Sequence, residues 1–228
     1  MKPNPVICID GPAGAGKSTV SKALARRLNY IYVDSGSLYR NVTWHAMQAG
    51  VDCADAEAMA AFCGTLKVAF ERRDGAMVCI MNDRILKDEI RTPEVNKNVS
   101  PVATAPGVRD VVTRWLRDMK GIGPLVVEGR DIGSVVYPDS PAKFYIDADA
   151  ETRARRRHLE EQAKGIGGKD NSQEAVKQSL LYRDKIDSTR KAAPLKIPEG
   201  STVIDTSPLT IEQVVATIHS HLPEAWKV

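Results

Sequence analysis

The residues Gly11, Pro12, Ala13, Gly14, Ala15, Gly16, Lys17 and Ser18 spell a complete G-x-x-x-x-G-K-[ST] string, set between the apolar run 6–9 and helix-periodic sequence. That strand-to-helix setting makes the string a phosphate cradle. Its glycines let the backbone turn so that successive N–H groups point inward at an anion. Lys17 can then reach the β- and γ-phosphates, and the Ser18 hydroxyl can serve Mg²⁺ as the one metal-ligand candidate.

Other charged groups take their meaning from this cradle. The segment Asp34-Ser35-Gly36-Ser37-Leu38-Tyr39-Arg40 follows the second candidate strand, so Arg40 lies one turn into a helix facing the acceptor side of the phosphates. Glu128-Gly129-Arg130-Asp131 follows the third in the same way. Acid–base neighbours of this kind can be plain surface pairs worth ~0 to 1 kcal/mol, but strand ends beside a phosphate loop are where ligands bind. The most basic stretch carries Arg153, Arg155, Arg156 and Arg157 on an expected helix that runs into Gly165-Ile166-Gly167-Gly168. Such a run is a solvated face unless the glycines act as a hinge and the helix closes arginines over a nucleotide. Further on, Arg183, Asp187 and Arg190 fall within about 60° of one another around a helix. Spacing alone does not choose between an ion-pair ladder and a ligand site.

These groups need strands and helices to hold them. Apolar runs at 6–9, 30–33, 125–127, 144–146 and 203–204 alternate with helix-periodic segments, predicting a parallel sheet with right-handed crossovers. The expected class is α/β: a P-loop three-layer fold with a central parallel sheet flanked by helices, plus an inserted small antiparallel-sheet lobe and a helical lid. The lobe is signalled by 67–70, the Asp74-Gly75 turn and 77–81, an antiparallel hairpin, with a second turn at Asn82-Asp83. The alternative is a long edge excursion of the main sheet. The expected division is a core of 1–64 and 107–228, including a lid at 153–170, with 65–106 inserted. A capping box is expected at Thr210-x-x-Gln213.

The composition narrows the setting. A net charge of +3, from 32 basic and 29 acidic residues, is too balanced for a surface that binds nucleic acid, so any basic function is local. Cys8, Cys53, Cys63 and Cys79 lack the paired spacing of a zinc or dithiol site and read as reduced packing residues. No stretch approaches a membrane span, and no signal-like apolar region precedes the first strand, which makes the cytoplasm the expected location. There is no Asn-Lys-x-Asp string of the kind that reads guanine, and none of the four histidines lies in a base motif.

The segments GPAGAGKS, DSGSLYR, EGRDIGSVV, RARRR and RDKIDSTRKAAPL resemble, in order and spacing, those of bacterial cytidylate kinases, and the resemblance spans nearly the whole chain. It implies transfer of the γ-phosphoryl group of ATP to CMP or dCMP with Mg²⁺, in pyrimidine nucleotide metabolism. It implies that Lys17, Arg130, Arg157 and Arg190 act on the transferring group, with Arg153, Arg157 and the loop through Thr19 on the ATP phosphates. It also implies Arg40 and Arg130 on the acceptor phosphate, with Ser35 and Tyr39 in the same pocket. Ser100, Arg109 and Asp131 would surround the cytosine edge, and Arg183 and Asp187 the ribose. Ser18 stands where Gly is also frequent, and Glu128 where Asp is. The expected partners are these small molecules, with no nucleic acid and no membrane, and the expected state is a monomer. A kinase for another small acceptor, such as UMP or shikimate, and a non-catalytic nucleotide switch are the competing readings.

Overall fold

Strand β1 (Val6–Asp10) is buried along its whole length, as an apolar run covered on both faces must be. Its side chains alternate between two cores: Val6 and Cys8 join one, Ile7 and Ile9 the other. The computed structural model describes residues 4–163 and 172–227. Five strands, β2 (Ile31–Asp34), β5 (Leu125–Gly129), β1, β6 (Ala142–Asp147) and β7 (Thr202–Asp205), lie side by side in that spatial order, all parallel. One face is covered by α1 (Lys17–Leu28) and α8 (Ile211–Ser220) through Val20, Leu24, Val215 and Ile218. The other is covered by α2 (Ser35–Gln48), α3 (Ala56–Thr65), α4 (Pro93–Thr104) and α5 (Pro106–Asp118) through Val42, Met59, Val102 and Val112. The result is the three-layer arrangement the strand pattern predicts.

The hairpin β3 (Val68–Arg73) and β4 (Ala76–Met81) turns through Asp74 and Gly75 at φ 50° and 75°, the left-handed pair that matches strand twist. It joins the sheet edge beside β2 through one parallel pair, Tyr32 with Ala76, which extends the sheet to seven strands, and Met81 is buried in the core beneath α2 to α5 with Val68, Phe70 and Met77 packed against it. Asn82 and Asp83 form a second such turn. Helix α4 has no apolar run to announce it, but Thr92 caps it and Pro93 occupies its first turn. Helix α6 (Ala150–Ala163) and α7 (Gln173–Thr189) lie against each other. The glycines Gly165, Gly167 and Gly168, expected as a hinge between them, lie outside the described residues. The Thr210–Gln213 capping box forms as expected. Cys8, Cys53 and Cys63 are buried free thiols in the core beneath α2 to α5, and Cys79 packs against it. Among the described residues no helix is long and apolar enough to cross a membrane.

Asp10 closes β1 by accepting from the Ile132 and Gly133 N–H groups at 2.8 and 2.7 Å, which anchors the single π-helical turn Ile132–Val136. Burial pushes this carboxyl up to about 6, against the pull of those two donors. A carboxyl raised on folding makes the native state the better proton binder, so its contribution to stability is present at low pH and is lost as pH rises toward about 6. Between about pH 4.5 and 7, wild type should lose ~2 kcal/mol of unfolding free energy that Asp10→Asn does not lose. Denaturant titrations at both pH values check this, and parallel pH dependence in the two proteins would refute it.

Candidate active site

The carboxyl ends of β1, β2 and β5 open on one cavity of about 470 Å³. Its donor-like end is the loop after β1. Gly11 sits at φ 148°, and a Cβ there would come within 2.0 Å of the Ile146 carbonyl oxygen. At Gly14, φ 79°, a Cβ would press on Arg153 at 3.0–3.1 Å. Both positions exclude a side chain on steric and dihedral grounds. Gly16 caps α1 in the left-handed region, so the first N–H groups of that helix face the cavity. Lys17 is buried and donates to the Pro12 carbonyl at 2.7 Å. Burial, reinforced by the Arg130 charge, lowers its ammonium to about 7, against the partly compensating charges of Glu128 and Asp10.

The opposite end is denser in charge. Asp34 caps α2 through the Ser37 N–H and pairs with Arg91 at 3.3 Å. Arg40, one turn into α2, reaches Asn96 at 3.5 Å, and its Nε has no hydrogen-bond partner among the described residues. Glu128, next to last in β5, accepts from the Tyr32 hydroxyl and, through its carbonyl, from Ser35 Oγ at 2.7 Å. Burial and the neighbouring Asp34 raise its carboxyl, while Lys17, Ser18 and Tyr32 pull the other way. Arg130 donates from Nε to Asp187 and from Nη1 to the Gly11 carbonyl, each at 2.9 Å, and so ties the two ends together.

Helix α7 delivers Arg183 and Asp187 to the cavity, and Arg190 follows at its cap. Arg183 Nε and Arg190 Nη2 are buried without a hydrogen-bond partner among the described residues. Burial, then the charges of Arg130 and Arg40, lowers Arg183 to about 10, which leaves it cationic at neutral pH. For Asp187 burial alone would raise the carboxyl, but Arg130, Arg183 and Arg190 outweigh it and hold it down. Beyond them Asp131 pairs with Arg109, whose guanidinium also lies 5.6 Å from the centre of the Tyr39 ring and donates to the Ala103 carbonyl at 3.0 Å. Ser100 lines the same corner. Among the described residues, nine arginine and lysine side chains face five carboxylates across the cavity, a surplus suited to a polyanion.

Of the residues singled out from the sequence, Arg153 and Arg155 do not line the cavity, nor do Gly11 and Pro12, whose carbonyls accept from the cavity residues Arg130 and Lys17. Arg153 points the other way. It is buried beneath the loop, donating to the carbonyls of Ala13 and Ala148 at 3.0 Å and pairing with Asp184. On the same helix Arg156 lines the cavity and donates to Thr206. Arg157 also lines it, pairing with Glu160 and Glu161. Arg91 is a cavity residue that the sequence reading does not name, and Asp34 is one that it names within a segment without giving it a role. Arg91 lies in a short 3₁₀ turn without a motif, whereas Asp34 stood in plain view as the first letter of DSGSLYR.

A family model described as cytidylate kinase matches residues 7–224. The cytidylate kinase of Lactiplantibacillus plantarum is 42% identical to this chain over 212 residues, 93% of this chain and 92% of that one. That of Bacillus cereus is 40% identical over 214 residues, 94% of each. A crystal structure of an uncharacterised protein from Eubacterium ventriosum covers 95% of this chain and 97% of its own with a TM-score of 0.52 at 12% identity, a likeness of fold alone.

Proposed function

The chain belongs to the cytidylate kinase family, and from that premise we propose that it transfers the γ-phosphoryl group of ATP to CMP or dCMP, releasing ADP and CDP or dCDP. The observation that carries this reading is one continuous cavity with a phosphate loop at one end and the Asp131–Arg109–Ser100 corner at the other, joined by Arg130. Donor and acceptor can meet there in line, and phosphoryl transfer asks for positioning and charge neutralisation more than for a strong base.

The loop N–H groups and the α1 N-terminus hold the donor phosphates, and Lys17 leaves the Pro12 carbonyl to follow the charge on the transferring oxygens. Arg40 and Arg130 hold the acceptor phosphate, with Ser35 and Tyr39 beside it. Arg183 and Asp187 address the ribose. Arg157, and Arg190 beyond it, complete the cationic ring as α6 and α7 close and exclude water that would otherwise take the phosphoryl group. Arg156 adds to the donor side. Residues 65–106 form the acceptor-side lobe, since Arg91 and Ser100 reach the cavity from them.

The Ser18 hydroxyl and the Glu128 carboxylate stand beside Lys17 on the cavity wall, and these hard oxygen donors fit Mg²⁺, which keeps most of its shell for phosphate oxygens and water. When bound, the ion neutralises charge on the β- and γ-phosphates. The Glu128 carboxylate also accepts from the Tyr32 hydroxyl and attracts Lys17.

Release of ADP from ATP should be measured with CMP, dCMP, UMP, AMP, GMP and shikimate as acceptors. Turnover with CMP or dCMP should exceed that with UMP by ~10³ or more in kcat/KM, because a buried acceptor built for an exocyclic amino group rejects a carbonyl. Turnover led by UMP or shikimate overturns the acceptor assignment. ATP binding without turnover on any of them points to a nucleotide switch.

A further inference from the structure

Arg153 and Asp184 lie outside the cavity lining, yet together they hold the phosphate loop from behind at one peptide. The Ala13 N–H donates to Asp184 Oδ1 at 3.2 Å, the Ala13 carbonyl accepts from Arg153 at 3.0 Å, and the two side chains pair with each other. Both are largely buried, with Arg153 9% and Asp184 19% exposed. Packing supports the same contact, since Ala13 sits in a small apolar cluster with Ala154 of α6 and Val176 and Leu180 of α7. The loop at Gly14 rests directly on Arg153, with no room for a Cβ.

Three residues further along α7, Asp187 pairs with Arg130, which donates to the Gly11 carbonyl. The helix therefore carries two carboxylates on successive turns, each paired with an arginine that grips a different carbonyl of the donor loop. Asp187 faces the acceptor end of the cavity and Asp184 the back of the donor loop.

We propose that the Arg153–Asp184 pair is a positioning device that couples the acceptor site to the donor loop, so that occupation of the α7 side by a nucleoside monophosphate sets the loop for the nucleoside triphosphate. This rests on the acceptor reading given above. Ordering α7 from one side lowers the cost of ordering the loop from the other, and such coupling is reciprocal. Arg153 and Asp184 touch neither substrate in this scheme. They act through the Ala13 peptide.

The test is calorimetric binding of a non-hydrolysable ATP analogue with and without saturating CMP, and of CMP with and without the analogue, in wild type, Arg153→Lys and Asp184→Asn. Wild type should bind the analogue about 10-fold more tightly when CMP is present. In Asp184→Asn, which keeps an acceptor for the Ala13 N–H but loses the charge, that factor should fall to below about 2-fold, while CMP alone binds within about 2-fold of wild type. Arg153→Lys, which keeps the charge but not the two-carbonyl grip, should fall between them. A merely structural role would lower the melting temperature and leave the coupling factor intact, and that outcome overturns the proposal. So does the absence of coupling in wild type. If a variant fails to fold, hydrogen exchange in wild type decides: CMP alone should slow exchange of the peptide containing Ala13, and unchanged exchange there overturns the coupling. A wild type that does not bind CMP at all overturns the acceptor reading and takes this inference with it.

Discussion

Replacing Lys17 with alanine should reduce kcat by ~10³ at saturating ATP and CMP while leaving a protein as stable as wild type or more so. The two halves of this expectation have one cause. Lys17 is buried and donates to the Pro12 carbonyl, and burial, followed by the like charges of Arg130 and Arg183, pushes its ammonium down to about 7. In the free protein the charge is a cost, because neither water nor a full counter-charge repays its desolvation. Bound phosphates reverse the sign, since the negative charge spread over the transferring oxygens meets a cation already held in a site of low dielectric. Removing the side chain thus removes a liability from the empty fold and an asset from the transition state. Coupled ADP-release kinetics read the first effect and thermal unfolding the second. A variant within tenfold of wild-type kcat would show that the cradle does not handle the transferred group. One that loses kcat only because it has melted would show that Lys17 is a structural residue.

Asp131→Asn should narrow the preference for CMP over UMP by at least ~10-fold in kcat/KM, chiefly by lowering turnover of CMP. As a carboxylate Asp131 only accepts, which suits the exocyclic amino group of cytosine and opposes the carbonyl that uracil has in its place. An asparagine amide can also donate. The surroundings bear on the size of the effect. Burial raises the Asp131 carboxyl, but Arg109 pairs with it and Arg190 lies 3.6 Å from its other oxygen, both favouring the charged acceptor. Asparagine leaves these two guanidinium groups short of a counter-charge, so some loss of stability accompanies the change. The ratio of the two substrates, compared within one folded protein, is insensitive to that loss. An unchanged CMP to UMP ratio removes Asp131 from base recognition and leaves Ser100 and Arg109 as the groups to test.

Much of this was legible in one dimension. The phosphate loop is a local object: its glycine positions, the strand before it and the helix after it all fall within about 20 residues, so the string 11–18 carries its own geometry. The same holds for the Asp74-Gly75 turn, where backbone sterics select the residues, and for the Thr210–Gln213 box, where two side chains satisfy two N–H groups of one turn. The parallel sheet followed from apolar runs too short to be anything but buried strands. Helix α4 was missed because Pro101 interrupts it and its buried residues Val95, Val99 and Val102 are sparse among polar ones. Arg91 was missed because a 3₁₀ turn of three residues has no periodicity to read.

The arginine run of α6 marks where local information stops. Arg153, Arg155, Arg156 and Arg157 are chemically alike, and a helix this polar has no apolar stripe to set its rotation. Spacing could say that Arg153 and Arg157 share a face, but not which way that face turns. The rotation is set by Ala154, the one fully buried apolar side chain of the helix, which fits beneath Ala13 and beside Val176 and Leu180. With Ala154 seated there, Arg153 turns under the loop to Asp184, and Arg156 and Arg157 turn to the cavity. Asp184 comes to the Ala13 N–H across a sequence separation of 171 residues. Residue type alone named the chemistry available to the site. Which arginine meets a phosphate and which holds a peptide depends on how one small side chain packs between elements far apart in the chain, and packing of that kind leaves no local pattern.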